Sequence, residues 1–380
     1  MNIGINAINI RAGGGITHLT SLLSHANPKL HGFKKIVVWG NSRVLGKIED
    51  RPWLIKVLPT AADKSLFRRV LWQVFKLKNS LHEHECNILF SPGGSDFSRF
   101  SPVVGMSQNM LPFEMSELIR YGFSLSALKF MLLRLIQSHH LKNADGVIFL
   151  TNYAKNSIMK IVQIQGLIKI IPHGINPIFQ GKVVRNLVKD PSIERLKVLY
   201  ISNVEYYKHQ WNVVEAVARL RMKGLQVDLD LIGAPMRGVP RLNKALNQFD
   251  PSGRYIQFHG EMPQMQLSGA LNGADIFIFA SSCENLPITL LEAMASGVPI
   301  ASSNMGPMPE VLGNAGVYFN PLDVGSISNS IMELCNTKKL RADLSRKAIA
   351  RSNVYKWSVC AKETFLFLSE VKQAYQGKSK

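Results

Sequence analysis

The stretch from Ala274 to Glu310, ADIFIFASSCENLPITLLEAMASGVPIASSNMGPMPE, leaves little choice of architecture. Ile276 to Phe279 is an unbroken apolar run, as a strand covered on both faces of a parallel sheet requires, and Ser281 and Ser282 mark its exit. Pro287 suits the start of a helix. Leu290, Leu291, Met294 and Ala295 give that helix an apolar stripe, Gly297 can stop it, and Pro299 prevents its continuation into the strand Val298 to Ser302. A strand, loop, helix and strand in close succession are half of a parallel sheet unit, and open parallel sheets bind ligands at the carboxyl ends of their strands. Two carboxylates lie in this unit, with seven residues between them: Glu284 in the loop at that edge and Glu292 inside the helix. Periodicity alone sets Glu292 with Thr289 and Ser296 on a narrow polar stripe that is expected to face water.

The same rhythm runs through the chain. Strand-like runs at Ile3–Ile8, Ile36–Trp39, Leu54–Leu58, Asn87–Ser91, Val103–Met106, Val147–Leu150 and Leu167–Ile171 alternate with helical patterns. A second series follows at Val198–Ser202, Val227–Ile232, Tyr255–His259, Asp275–Ala280, Val298–Ser302 and Val317–Phe319. With 380 residues the chain exceeds what one core usually covers, so two α/β domains are expected, joined in the polar stretch from Gln180 to Leu196. The last helical pattern, Tyr355 to Tyr375, offers Trp357, Phe365, Phe367 and Leu368 for burial.

Several side chains invite a role. Gly13, Gly14 and Gly15 follow the first strand and open a helix, so backbone amides there can approach a phosphate, or simply make a tight turn. His18 stands where a dinucleotide fingerprint wants its third glycine, and no acid ends the second strand, which argues against a nicotinamide cofactor. Lys208 precedes a helical pattern and is well placed for a diphosphate, although a lone lysine is ordinarily solvated. Polar segments after the strands of the first half bring Asn109 and Glu114 toward the ligand edge. Lys64 to His82 is helical in pattern, basic and aromatic. Its apolar side, Phe67, Val70, Leu71, Val74 and Leu81, is read first as core, while a membrane surface can share it.

The four cysteines form no paired motif, which fits a reducing compartment, and the amino terminus enters a strand directly. A cytoplasmic location, extending to the inner face of the cell membrane, is the expectation. The formal net charge is +19, and residues 1–190 hold 24 Lys+Arg against 10 Asp+Glu, leaving +14 there. Such a balance favours an anionic partner; with no nucleic-acid-binding module in view, an anionic membrane is preferred to nucleic acid.

Glu284, Glu292, Ala293, Met294, Ala295, Gly297 and Pro299, with Glu310 following Gly306 and Pro309, resemble the signature of the family 4 retaining glycosyltransferases, of the group 1 glycosyltransferase type. That resemblance implies the GT-B fold, two Rossmann-like doubly wound domains facing a central cleft. Residues 1–187 would form the acceptor-side domain, rejoined by a return helix at 359–377, and residues 188–358 would bind the nucleotide-sugar donor. It implies catalytic roles for Glu284 and Lys208, ribose binding by Glu292, and contacts of the Asn285 and Leu286 amides with the sugar or phosphate. Gly13, Gly14 and Gly15 would lie over the phosphates, and Gly260 near the base. Asn203 stands where the family usually carries an arginine, and Asn109 where relatives often carry histidine or aspartate; Asn109 and Glu114 are the acceptor-side candidates. The implied reaction is retaining transfer of a hexose-type sugar from a nucleotide-diphosphate sugar to a glycan or lipid-linked acceptor, in lipopolysaccharide or other surface-polysaccharide synthesis, with no cofactor and no metal. A nucleotide-sugar epimerase or hydrolase, or a non-catalytic sugar-nucleotide scaffold of the same fold, remains the alternative.

Overall fold

The computed structural model describes residues 1–11, 13–180 and 194–378. One sheet holds β1 (Asn2–Asn6), β2 (Lys35–Trp39), β3 (Leu54–Val57), β4 (Cys86–Ser91), β5 (Val103–Met106), β6 (Gly146–Phe149) and β7 (Leu167–Ile170), in the order β3-β2-β1-β4-β5-β6-β7. The other holds β8 (Leu196–Ile201), β9 (Val227–Ile232), β10 (Ile256–Phe258), β11 (Ile276–Phe279), β12 (Ile300–Ser303) and β13 (Val317–Phe319), in the order β10-β9-β8-β11-β12-β13. Every strand pair is parallel. Each strand lies within two residues, at either end, of its sequence-predicted range. The α/β class with two doubly wound sheets is therefore as expected. Residues 181–193, which hold most of the expected joint from Gln180 to Leu196 and the 187/188 boundary, lie outside the described residues.

Two compact units contain these sheets. The first comprises residues 1–113, 123–174 and 356–380, the second residues 114–122 and 175–355. In the first, the helix Trp357–Lys378 buries Trp357, Phe365, Phe367 and Leu368. It packs on the helix Gly14–Ser24 and on β4. Gly146 is needed beneath it, because a Cβ there would lie 2.6 Å from Val371 Cγ2. His173 stacks on Trp357 at 5.4 Å, and its Nε2 lies 3.3 Å from His18 Nδ1; both imidazoles are buried, and burial pushes His18 down to about 4. This pair is packing.

The core reading of Lys64 to His82 needs correction. The chain is helical from Leu66 to Glu83, but a π-helical turn at Gln73–Leu77 interrupts it. Its extra residue advances the phase by about 100°, so residues before and after the turn face different directions. Leu77 and Leu81 are buried, whereas Phe67, Leu71 and Val74 are exposed.

In the second unit each residue of β11 has no solvent exposure, as the continuous apolar run requires. Gly233 leaves β9 at a φ of 153°, and a Cβ there would lie 2.0 Å from the Ser202 carbonyl oxygen. Ser202 N donates to Ile232 O at 2.8 Å, so the neighbouring backbone cannot retreat without breaking the β8–β9 ladder. Gly233→Ala is accordingly expected to cost about 2–3 kcal/mol, read as a lowered urea midpoint; an unchanged midpoint would contradict this packing.

Candidate active site

The second sheet reverses its strand order between β8 and β11, and open α/β sheets form their ligand crevice outside the carboxyl ends of strands at such a switch point. The chain leaves β8 through the short turn Tyr206–Lys208 and leaves β11 through Ser281 to Glu284. Lys208 and Glu284 thereby meet: Nζ donates to Glu284 Oε1 in a short ion pair, with only 11% and 15% of the two side chains exposed. The Lys208 ammonium also lies 5.2 Å from the centre of the Tyr207 ring and 5.3 Å from that of Phe279. A cation that is desolvated, paired and set over aromatic faces is fixed before any ligand arrives.

The surrounding backbone holds this arrangement. Tyr200 Oη donates to Lys208 O at 2.6 Å, and Ser282 N donates to Tyr207 O at 2.8 Å. His209 adopts a left-handed conformation at φ 51° and starts the helix Gln210–Met222. Its Nε2 shares a 2.8 Å hydrogen bond with Ser282 Oγ, tying the β8 turn to the β11 loop. Burial first, and then Arg120 and Arg241, push His209 down to about 3, so it serves as a neutral strut.

Glu292 lies on the helix Ile288–Ser296, whose carboxyl end is capped by Gly297 in the left-handed region, as its sequence signals suggested. The expectation that Glu292, Thr289 and Ser296 face water is overturned: Glu292 and Ser296 are buried and Thr289 is half-buried. The physical reason is that this helix is covered on several sides, by the helices Lys338–Ser352 and Gln264–Gly273 and by the turn Pro177–Phe179. Burial alone pushes the Glu292 carboxyl up to about 8. A carboxyl held this way keeps its proton until the pH approaches 8 and presents a donor as well as an acceptor.

Asn285 and Leu286, in the loop between β11 and this helix, are both buried. Asn203 follows β8 and is exposed, and its Oδ1 accepts from Ala234 N at 3.3 Å. Gly260 lies beyond β10 at φ 72°, and its carbonyl accepts from Gly233 N at 2.8 Å. The first unit holds the remaining candidates. Gly13, at φ 61°, precedes the helix that Gly14 and Gly15 begin, and Gly15 is backed by Ile10, whose Cγ2 would lie 3.2 Å from an added Cβ. Asn109 Oδ1 accepts from Leu111 N at 3.1 Å. Glu114, expected on the acceptor side of the first domain, begins the segment Glu114–Gly122 that groups with the second unit.

That segment supplies groups that sequence reasoning missed. Tyr121 Oη donates to Glu205 Oε2 at 3.4 Å, and Arg237 Nη1 donates to Glu205 Oε1 at 2.9 Å. Burial, and after it the charges of Glu284, Glu114 and Glu117, hold the Cys283 thiol well above its usual range. Arg237 had a usable signal, because it follows β9 at the same sheet edge. Tyr121 had none, since it precedes β6 by a helix and belongs in sequence to the other half.

Residues 188–351 match the family model described as glycosyl transferases group 1. O-antigen chain mannosyltransferase B of Escherichia coli is 31% identical over 110 residues, which is 29% of this chain and 29% of that protein. The chain thus matches well under half of this curated relative. Among solved structures, sucrose-phosphate synthase from Thermosynechococcus elongatus superposes with a TM-score of 0.76 at 18% identity, covering 98% of this chain and all of that one. Anabaena HepE, solved in complex with UDP and glucose, superposes at 0.69 and 16% identity, over 97% of this chain and 100% of that one. At such identities the superpositions show the fold, which is that of GT-B glycosyltransferases. The residues matched by the family description fall within the second unit.

Proposed function

We propose that the chain is a retaining, metal-independent glycosyltransferase that moves a hexose-type sugar from a nucleotide-diphosphate sugar to a glycan or lipid-linked acceptor in surface-polysaccharide assembly. The observation that carries this reading is the Lys208–Glu284 pair at the switch point of a sheet whose next helix buries Glu292. Donor binding falls to residues 188–358 and acceptor binding to residues 1–187, rejoined by 359–377. HepE's complex with UDP and glucose supports a nucleotide-sugar donor, and the O-antigen mannosyltransferase supports a surface-glycan product.

In this reaction the acceptor hydroxyl attacks the anomeric carbon from the side on which the diphosphate departs. The bond from that carbon to the diphosphate oxygen breaks with its electron pair on the oxygen, which takes the acceptor's proton. Lys208 meets the charge that grows on the diphosphate, assisted by backbone amides around Asn285 and Leu286. Glu284 holds the Lys208 ammonium in place and faces the donor sugar. Glu292 accepts from the ribose hydroxyls, and Gly260 borders the base. Asn109 and Glu114 orient the acceptor.

Ribose hydroxyls donate to the ionised form of Glu292, so donor binding must release the proton that burial favours. Nucleotide affinity is expected to rise by up to tenfold per pH unit below about 8 and to level off above it. Titration calorimetry at several pH values checks this, and a flat profile between pH 6 and 9 would remove Glu292 from the donor site.

Asn203 in place of an arginine favours a second reading, a scaffold that binds sugar nucleotides without turnover. Release of nucleoside diphosphate from UDP-, GDP- and ADP-sugars, with and without lipid-extract acceptors, separates the readings. Acceptor-dependent release supports transfer, donor consumption without acceptor indicates an epimerase or hydrolase, and binding without consumption indicates the scaffold.

A further inference from the structure

The first unit leaves a large apolar surface uncovered on two helices. On the helix Leu125–Asn143, the side chains of Leu125, Leu128, Met131, Leu132 and Leu135 are each more than half exposed, and Phe123 stands fully exposed just before it. Their spacing puts them along one side of the helix. Phe67 and Phe75, on the helical stretch from Leu66 to Glu83, are also more than half exposed. Both segments lie on the same side of the sheet, because the crossovers from β3 to β4 and from β5 to β6 run in the same direction across it. Val74 of one and His139, His140 and Asn143 of the other line a common cavity.

We propose that these two helices form a docking surface for an anionic lipid bilayer, into which the leucine stripe and the flanking phenylalanines insert. Charge selects this occupant. Residues 66–83 and 123–143 together contain seven Lys and Arg against one acid, Glu83. Two such surfaces from copies of this chain would repel each other, whereas the same cations attract acidic headgroups while the apolar side chains enter the interface. Among the described residues no helix is long and apolar enough to cross a membrane, so these helices would lie in the interface plane. The turn Leu111–Phe113, which accompanies Asn109, packs on the Leu125–Asn143 helix. Docking therefore sets the Asn109 loop near the lipid and selects a lipid-linked acceptor; this consequence rests on the glycosyl-transfer reading, whereas the lipid contact does not.

The test is flotation of the full chain with vesicles of phosphatidylcholine alone or mixed with phosphatidylglycerol. Binding is expected only to the mixed vesicles, weakening as salt is raised. Leu128→Glu/Leu132→Glu and, separately, Phe67→Ser/Phe75→Ser should each weaken it by about tenfold or more. Because these side chains are exposed, both variants should keep the parent's circular dichroism and urea midpoint. Failure to bind mixed vesicles, equal binding to neutral ones, or unchanged binding by both folded variants would overturn the proposal. A parent dimer that these substitutions split, without vesicle binding, would assign the surface to a second copy instead. Vesicle binding without any glycosyl transfer would leave the docking surface standing and sink only the acceptor assignment.

Discussion

Glu292→Gln is expected to abolish measurable nucleotide binding and, at the same time, to make the unliganded protein more stable. The second half follows from linkage. The Glu292 carboxyl moves from its ordinary 4.5 up to about 8 on folding, because burial disfavours its charge. Between those values the folded state binds more protons than the unfolded one, so this group's contribution to stability declines as pH rises from 4.5 and is fully lost above about 8. The cost above pH 8 is about 5 kcal/mol at most. A glutamine of the same shape carries no charge and avoids that cost. It also offers one carbonyl oxygen where a ribose diol needs two acceptors, so affinity should fall by at least a hundredfold. Thermal melts at pH 8.5 should show a higher midpoint for Glu292→Gln, and the gain should vanish near pH 5. A lower midpoint at both pH values would mean that the carboxylate is a structural group.

The second large effect concerns Lys208 and Glu284. Lys208→Met leaves Glu284 without its cation in a site from which water is mostly withdrawn, and breaking such a pair costs on the order of 3 kcal/mol. It also removes the charge that faces the leaving diphosphate, which should lower kcat by about a thousandfold. Glu284→Gln should destabilise less, because a lysine stem can turn its ammonium toward water. The double variant Lys208→Met/Glu284→Gln separates the two roles. Stability should return nearly to that of the parent, since no unpaired charge remains, while kcat should stay at the level of Lys208→Met. Recovery of turnover in the double variant would show that the pair is only a structural ion pair.

The strands were legible because the central ones are buried on both faces and therefore read as continuous apolar runs, Ile276 to Phe279 most plainly. Lys208 and Glu284 were legible as separate signals, a cation and an acid each following a strand. Their meeting needed the strand order, in which β8 and β11 are neighbours although the chain visits β9 and β10 between them. Glu292 was misjudged for a different reason. A helical stripe predicts one wet face only when one side of the helix is covered, and here neighbours cover more than one. Phe67 and Leu81 were grouped on one side because an uninterrupted 3.6-residue period was assumed, and the π turn at Gln73–Leu77 breaks it. Tyr121, Glu205 and Arg237 come from three distant stretches, and no local pattern brings them together.

Titration calorimetry of UDP, GDP and ADP into the parent chain and into Glu292→Ala reads the donor site alone, because it needs no acceptor. The parent is expected to bind one of the three in preference to the others, and Glu292→Ala, folded by circular dichroism, to bind none. Absence of binding to the parent by all three nucleotides, or equal binding by the folded variant, would contradict a donor site built on Lys208, Glu284 and Glu292.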